Sequence, residues 1–274
     1  MFFSTPLAIW TSRLTGIIAG FQWPSFLAYP LLKSFARFYQ INLSEAEKPL
    51  SDYRSFDSFF TRKLRPDARP TDPRSNAFVS PVDGRITTFG SLDNDSLLQA
   101  KGVSYTVSDL IPDEISASFV GGHYMTFYLS PQDCHRIFSP VSGQVMMSLL
   151  VPGRLLPVRE PYISNTSQLY TKNERLITIL DTLFGKVALV NVGALNVGSI
   201  TVPYDETLRT NQYGQSFIKK TPSTPISVSK GSHVGTFHLG SSVILLMQSQ
   251  DFKWEPGLSS NASIRYGASI GRVT

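Results

Sequence analysis

The chain has 274 residues, 42% of them hydrophobic and 16% charged, with a formal net charge of +5 and a single cysteine, Cys134. That length builds a proper core in one main domain, and no repetitive, charged or Ser/Gly-rich segment divides it. One cysteine excludes an internal disulfide and any multi-thiolate zinc site, so no metal is expected; the charge is too diffuse for a nucleic-acid groove but suits contact with an anionic surface.

Residues 1–40 carry Arg13, Lys33 and Arg37 and no acid, among aromatics such as Phe2, Phe3, Trp10, Phe21, Trp23, Phe26, Phe35 and Phe38. This is the composition of a segment that lies on a membrane surface. The uncharged window Leu14 to Leu32 approaches the length of a membrane span, but Gly16, Gly20, Gln22, Pro24 and Pro30 interrupt it. The expectation is two short amphipathic helices broken at Trp23-Pro24, with packing of these aromatics on the domain's own core as the plainer alternative. No basic residue precedes the first apolar residues, which argues against a cleavable signal. Next, Ser44 opens what reads as a capped helix, with Phe56, Phe59 and Phe60 on one apolar face. Its basic end, Arg62, Lys63, Arg65 and Arg69, suits either solvent or lipid headgroups.

After Pro70 the texture changes to short alternating strands separated by turn residues. "HYMTFYLS" (123–130) alternates, "SGQVMMSLLVPG" (142–153) is bounded by glycines, and "RLITILDTLFGKVALVNVG" (175–193) reads as two strands joined around Phe184-Gly185. "VILLM" (243–247) is apolar enough for a buried strand. The expected fold is α+β: a β-rich, mostly antiparallel compact core of lipoyl or barrel-sandwich type, preceded by N-terminal amphipathic membrane-associated helices. Segments "SPVSGQV" (139–145) and "VSKGSHVGTFHLG" (228–240) are similar to the paired turns of biotinyl and lipoyl carrier domains, but no Met-Lys-Met hairpin tip accompanies them. A zinc peptidase of that fold is set aside because its His-x-His and His-x-x-x-Asp ligand pairs are absent.

The stretch "HLGSSVILLM" (238–247) places Gly240, Ser241 and Ser242 directly before the apolar strand. Taken alone, a Gly-Ser pair there is a turn. It is, however, the last of five motifs in order: "SFDSFFTRKLRPDARP" (55–70), "SPVDGRI" (80–86) with "LLQAKGVSYTVSDL" (97–110), "FYLSPQDCHRIFSPVSG" (127–143), "NVGALNVGSI" (191–200) and "GTFHLGSSVILL" (235–246). In this order they resemble the pyruvoyl-dependent phosphatidylserine decarboxylase proenzyme family, from about Tyr29 to the C-terminus.

The resemblance implies a membrane-associating region, residues 1–40, and a catalytic domain, residues 41–274. It further implies that the chain cuts itself between Gly240 and Ser241 into a β chain (1–240) and an α chain (241–274) that stay associated, with homo-oligomerisation left open. Ser241 Oγ attacks the Gly240 carbonyl, the amide becomes an ester, and elimination followed by loss of ammonia leaves a covalent pyruvoyl cofactor derived from Ser241. Gly240 offers an unhindered carbonyl and tolerates a strained peptide; Ser242 is read as a turn or supporting hydroxyl. The pyruvoyl ketone condenses with the amine of phosphatidylserine as a Schiff base and draws off the electrons freed as CO2 leaves, so that phosphatidylethanolamine is released. The implied location is peripheral, on the phospholipid membrane at the cytoplasmic face of the cell membrane.

Asp83 in "PVDG" matches the family aspartate that helps activate the serine, against a plainer role as a turn residue before Gly84. His135 in "QDCHR" matches the family histidine assigned to decarboxylation. The family pattern reads "DYHRVH" where this chain reads "DCHRIF", so Phe138 stands where a second histidine, the base of self-cleavage, belongs. His135 in a double role, His123 or His238 could replace it, with His233 the least suitable; the reading adopted assigns both steps to His135. Two alternatives stay open: decarboxylation of another serine-headed lipid, and an inactive membrane-bound relative that is never cut.

Overall fold

A computed structural model describes residues 14–92, 95–100, 103–158, 162–195, 199–239 and 242–274. Gly240 and Ser241, and with them the expected scission point, lie outside the described residues.

Strands dominate, and the named strand pairs are all antiparallel. Ten of them carry labels here: β1 (Gly84–Ser91), β2 (His123–Tyr128), β3 (Arg136–Phe138), β4 (Gly143–Val151), β5 (Arg175–Thr182), β6 (Gly185–Val192), β7 (Ser199–Val202), β8 (Asp205–Arg209), β9 (His233–His238) and β10 (Ser242–Met247). A nine-stranded sheet runs Ile218–Lys220, β4, β5, β6, β10, β2, β1 and Ser263–Ile264, with Ile226–Val228 also paired to β4. A four-stranded sheet has the order β8-β7-β9-β3, and a three-stranded sheet joins Ala77–Val79, Ser269–Val273 and Phe252–Trp254. The strands expected at 123–130, 142–153 and 175–193 are present, the last as the β5–β6 hairpin. Gly185 opens β6 at φ +93°, a conformation that favours glycine at this turn.

β10 shows why its sequence is apolar without alternation. It lies between β6 and β2, paired along its whole length on both edges. Val243, Leu245 and Met247 enter a core with Met125, Phe127, Leu189, Ile137 and Phe237. Ile244 and Leu246 face the other way, into a second core with Tyr124, Val190, Ile177, Phe119 and Tyr170. A strand covered on both faces has no polar side to show.

The N-terminal segment breaks where expected. Helical residues 14–20 (α1) are followed by α2, Ser25–Phe38, and the backbone N–H of Trp23 in the break donates to Arg54 O at 2.8 Å. Gly16 and Gly20 lie within α1 and Pro30 within α2, so these three do not interrupt the helices as anticipated. Pro30 removes only one i→i−4 bond, and burial of Ala28, Leu32 and Ala36 on the other turns offsets that loss. Leu32 and Ala36 pack with Leu50, Tyr53 and Phe59, whereas Ile17, Phe26 and Phe38 remain 71%, 74% and 79% exposed. Among the described residues no helix is long and apolar enough to cross a membrane.

The helix expected from Ser44 is corrected. Leu43–Glu45 and Leu50–Asp52 are single 3-10 turns, separated by extended backbone at Ala46 and Pro49. The capping side chain of the first is Asn42, not Ser44. Only Phe56–Phe60 (α3) is α-helical, capped by Ser55, whose hydroxyl and that of Ser58 reciprocally bind each other's backbone N–H. Phe59 and Phe60 are buried, as their spacing implied.

Candidate active site

β9 runs between β7 and β3 and leads directly toward residues 240–241, so the side chains at its C-terminal end define the site. The Phe237 N–H donates to His135 O at 2.9 Å, which fixes His135 across from that end. His135 Nδ1 lies 3.0 Å from Asp133 O; a carbonyl only accepts, so Nδ1 carries the proton and Nε2 a lone pair. That Nε2 is buried and has no partner among the described residues. The Phe60 ring covers the imidazole at a centroid distance of 3.9 Å. Burial pulls the His135 pKa down to about 3, so the ring is neutral. Arg62 steadies the preceding loop by donating Nη2 to Gln132 O at 2.7 Å.

Asp83 lies in a buried ion-pair cluster. Its carboxylate accepts from Arg69 Nε at 3.0 and 3.1 Å and from Arg69 Nη2 at 2.8 Å, and the Tyr266 N–H adds 2.9 Å. Arg69 Nη2 also reaches Glu45 at 2.8 Å. Phe138 stacks flat on the Tyr266 ring, with centroids 3.8 Å apart and planes 15° apart. Tyr266 therefore bridges Phe138 and Asp83, one through its ring and the other through its backbone. Burial, then the neighbouring Cys134 and Asp83, push the Tyr266 phenol well above its ordinary range, so it is no base at neutral pH. Among the described residues no hydrogen bond is recorded between Asp83 and a histidine.

The remaining histidines divide clearly. His123 pairs with Met247, at the opposite end of β10 from Ser242, which is roughly 17 Å along the strand. Its Nδ1 lies 3.0 Å from Ser249 O, and its ring rests near Phe252 and Trp254. His233, expected in a turn, begins β9; Nε2 is 2.9 Å from Thr236 Oγ1, and burial with the nearby Arg136 lowers its pKa to about 4. His238 ends β9 with Nδ1 2.9 and 3.1 Å from the Asp57 carboxylate oxygens and Nε2 3.1 Å from Thr201 Oγ1.

Asp57, Thr201, Glu45 and Tyr266 were not singled out from the sequence. An acid in the first turn of a capped helix is ordinary N-terminal chemistry, and nothing local connects Asp57 to a histidine 181 positions away.

Two cavities meet at this end of the molecule. An apolar one of about 500 Å³ is walled by Ile18, Trp23, Leu31, Phe35, Phe60 and Leu239, among others. A more polar one of about 470 Å³ is bounded by Asp57, Ser199, Arg209, Thr210 and His238, and shares Ala19 and Leu239 with the first. Leu239 holds φ +83°, a left-handed backbone that disfavours a branched side chain, directly before Gly240.

The comparisons with known proteins show the family. The family model described as phosphatidylserine decarboxylase matches residues 56–272. A phosphatidylserine decarboxylase proenzyme of Myxococcus xanthus (strain DK1622) is 39% identical over 264 residues, covering 96% of this chain and 94% of the relative. The proenzyme of Brevibacillus brevis is 40% identical over 242 residues, with 87% and 86% covered. That of Azotobacter vinelandii is 36% identical over 274 residues, with 96% and 93% covered. The protein is accordingly an enzyme of the carboxy-lyase class, of a kind made as a proenzyme. It belongs to the phosphatidylserine decarboxylase family.

Proposed function

We propose that the chain cuts itself between Gly240 and Ser241, that Ser241 becomes an N-terminal pyruvoyl group, and that the mature protein converts phosphatidylserine to phosphatidylethanolamine and CO2. The observation that carries this reading is His135, a fully buried neutral imidazole whose unprotonated Nε2 lacks a partner among the described residues, held beside the strand leading to the junction.

The residues present fit the group. Ser242 Oγ, next in the chain after Ser241, is also buried with no partner among the described residues, leaving a hydroxyl to hold it. When formed, the pyruvoyl group supplies a ketone that takes the substrate's amine and withdraws the electrons released with CO2. Every other part of the reaction falls to the chain. His135 Nε2 takes a proton only from a group brought against it, because burial keeps the ring neutral. Once protonated it is a strong acid for an imidazole, suited to delivering that proton to carbon. Phe60 over the ring excludes water that would compete for it.

A lipid substrate is supported by the apolar cavity of about 500 Å³, walled by α1, α2 and Phe60 and therefore adjacent to His135. Membrane association is supported by the outward apolar residues of α1 and α2 together with Lys33 and Arg37. We place the protein peripherally, at the cytoplasmic face of the cell membrane. A second reading, an uncut relative, is favoured by Phe138 and by the engagement of Asp83 with Arg69.

Denaturing electrophoresis and intact mass of the purified full chain decide between them. The proposal expects a 240-residue chain and a 34-residue chain, 241–274. Ser241→Ala should stay whole, and Ser242→Ala should cut at the same bond. Persistence of the full-length mass after prolonged incubation overturns self-cleavage.

A further inference from the structure

We propose that His238, oriented by Asp57, is the general base that starts scission of this chain, in place of the histidine that the family pattern has at position 138. This rests on the self-cleavage reading above.

The dyad is built for a base. The Asp57 carboxylate can only accept, so the Nδ1 of neutral His238 carries a proton and Nε2 presents its lone pair, where the Thr201 hydroxyl now donates to it. The carboxylate also stabilises the imidazolium that forms when Nε2 takes a proton. Asp57 is held by α3, whose Ser55 cap fixes the first turn that carries it.

The other three histidines lack this combination. His123 sits at the far end of β10. His135 and His233 have pKa values lowered by burial to about 3 and about 4, which makes each a weak acceptor for a serine proton. No carboxylate lies within hydrogen-bond reach of any of the three among the described residues. His238 alone among the four meets a carboxylate, and its half-buried side chain, 23% exposed, lies on the wall of the polar cavity. Chain connectivity alone keeps position 241 within three residues of it, about 10 Å at full extension. The left-handed Leu239 lies between them and stores backbone strain one residue before the Gly240–Ser241 bond, whose cleavage can release it.

The step balances without an added reagent. Nε2 takes the Ser241 Oγ proton as the bond from Oγ to the Gly240 carbonyl carbon forms. The Gly240–Ser241 C–N bond breaks, and the released amine nitrogen takes that proton from the imidazolium. The peptide becomes an ester and a free amine, with His238 returned to its starting form. Asp57 is a positioning residue, since it touches only the base.

The test follows a pulse of freshly translated full-length chain by timed denaturing electrophoresis, with the melting temperature of each variant measured alongside. His238→Ala is expected to slow the appearance of the 34-residue chain by about a hundredfold or more, the effect of losing a positioned base. Added imidazole, for which the adjoining cavity of about 470 Å³ has room, should restore part of the rate. Asp57→Asn should also slow scission at unchanged melting temperature, because its amide can donate to Nδ1 and move the ring proton to Nε2. His135→Gln should still cut. If the wild-type chain is never cut, the self-cleavage reading falls and this one with it. If the wild type is cut and folded His238→Ala keeps pace with it, only the role of His238 is overturned. A normal rate in Asp57→Asn, or no rescue by imidazole, would make His238 a structural residue and overturn the proposal equally.

Discussion

Arg69 decides what Asp83 can do. The guanidinium takes both carboxylate oxygens and Glu45 as well, in a cluster whose Arg69 and Asp83 side chains are almost wholly buried. Breaking a buried pair by removing one partner typically costs 3–5 kcal/mol, because the other charge is left unpaired. Arg69→Met should therefore lower the free energy of unfolding by about 3 kcal/mol in urea melts, and adding Asp83→Asn should recover part of it. The same saturation bears on Phe138→His. A new imidazole there meets a carboxylate already occupied, so the scission rate should not rise; a marked acceleration in timed electrophoresis would show that Asp83 can leave Arg69. Protonation of His135 and His233 weakens the fold in acid. The folded values of about 3 for His135 and about 4 for His233 lie below the ordinary 6.5, so the unfolded chain binds protons more readily in between. Their contribution is complete above pH 6.5 and is lost as pH falls toward those folded values. Asp133, raised to about 6 mainly by burial, works the other way between its ordinary 3.8 and 6, but it is one group against two. Urea midpoints should fall between pH 6.5 and 4, and His233→Gln should flatten the slope.

At the scale of elements, β10 and α3 carry the most consequence. β10 begins one residue after the proposed cut, yet all six of its residues pair with both β2 and β6. The 34-residue product should therefore stay with the larger chain on native size exclusion and separate only under denaturing conditions. Release without denaturant would mean that these pairings do not hold the mature protein. α3 is only five residues long and depends on its cap. Ser55→Ala should cost about 1 kcal/mol and slow scission as well, because Asp57 sits in the turn that loosens. The misplaced helix start at Ser44 has a plain cause. Ser44 and Ser55 both look like caps locally, and the difference lies in Pro49 and in the packing of Leu50, Tyr53 and Phe59 beneath α2.

For the whole molecule, the role proposed for His135 requires a lipid to reach a buried imidazole. α1 and α2 present exposed Ile17, Phe26 and Phe38 on the outside and wall the apolar cavity on the inside. The two helices thus link a surface suited to lipid with the neighbourhood of Phe60 and His135. Deleting residues 1–28 should abolish flotation with anionic liposomes, since it removes much of that apolar surface. High salt should extract the intact protein poorly, because few basic residues contribute beside the aromatics. Complete release by salt would count against anchoring by the apolar residues.

The sequence by itself determined the elements and the kinship: hairpin spacing around Phe184-Gly185, the N-terminal break at Trp23-Pro24, a strand at 243–247, and ordered motifs that the family match reproduces. These are legible because they depend on short-range periodicity, turn chemistry and residue order. Only the tertiary structure decided that β10 is covered on both faces, that Asp83 pairs with Arg69, and that Phe138 lies against Tyr266. It also brought His238 to Asp57 across 181 positions. No local pattern encodes such partners, because they are selected by which strands pair and by the need of each buried charge for a counter-charge.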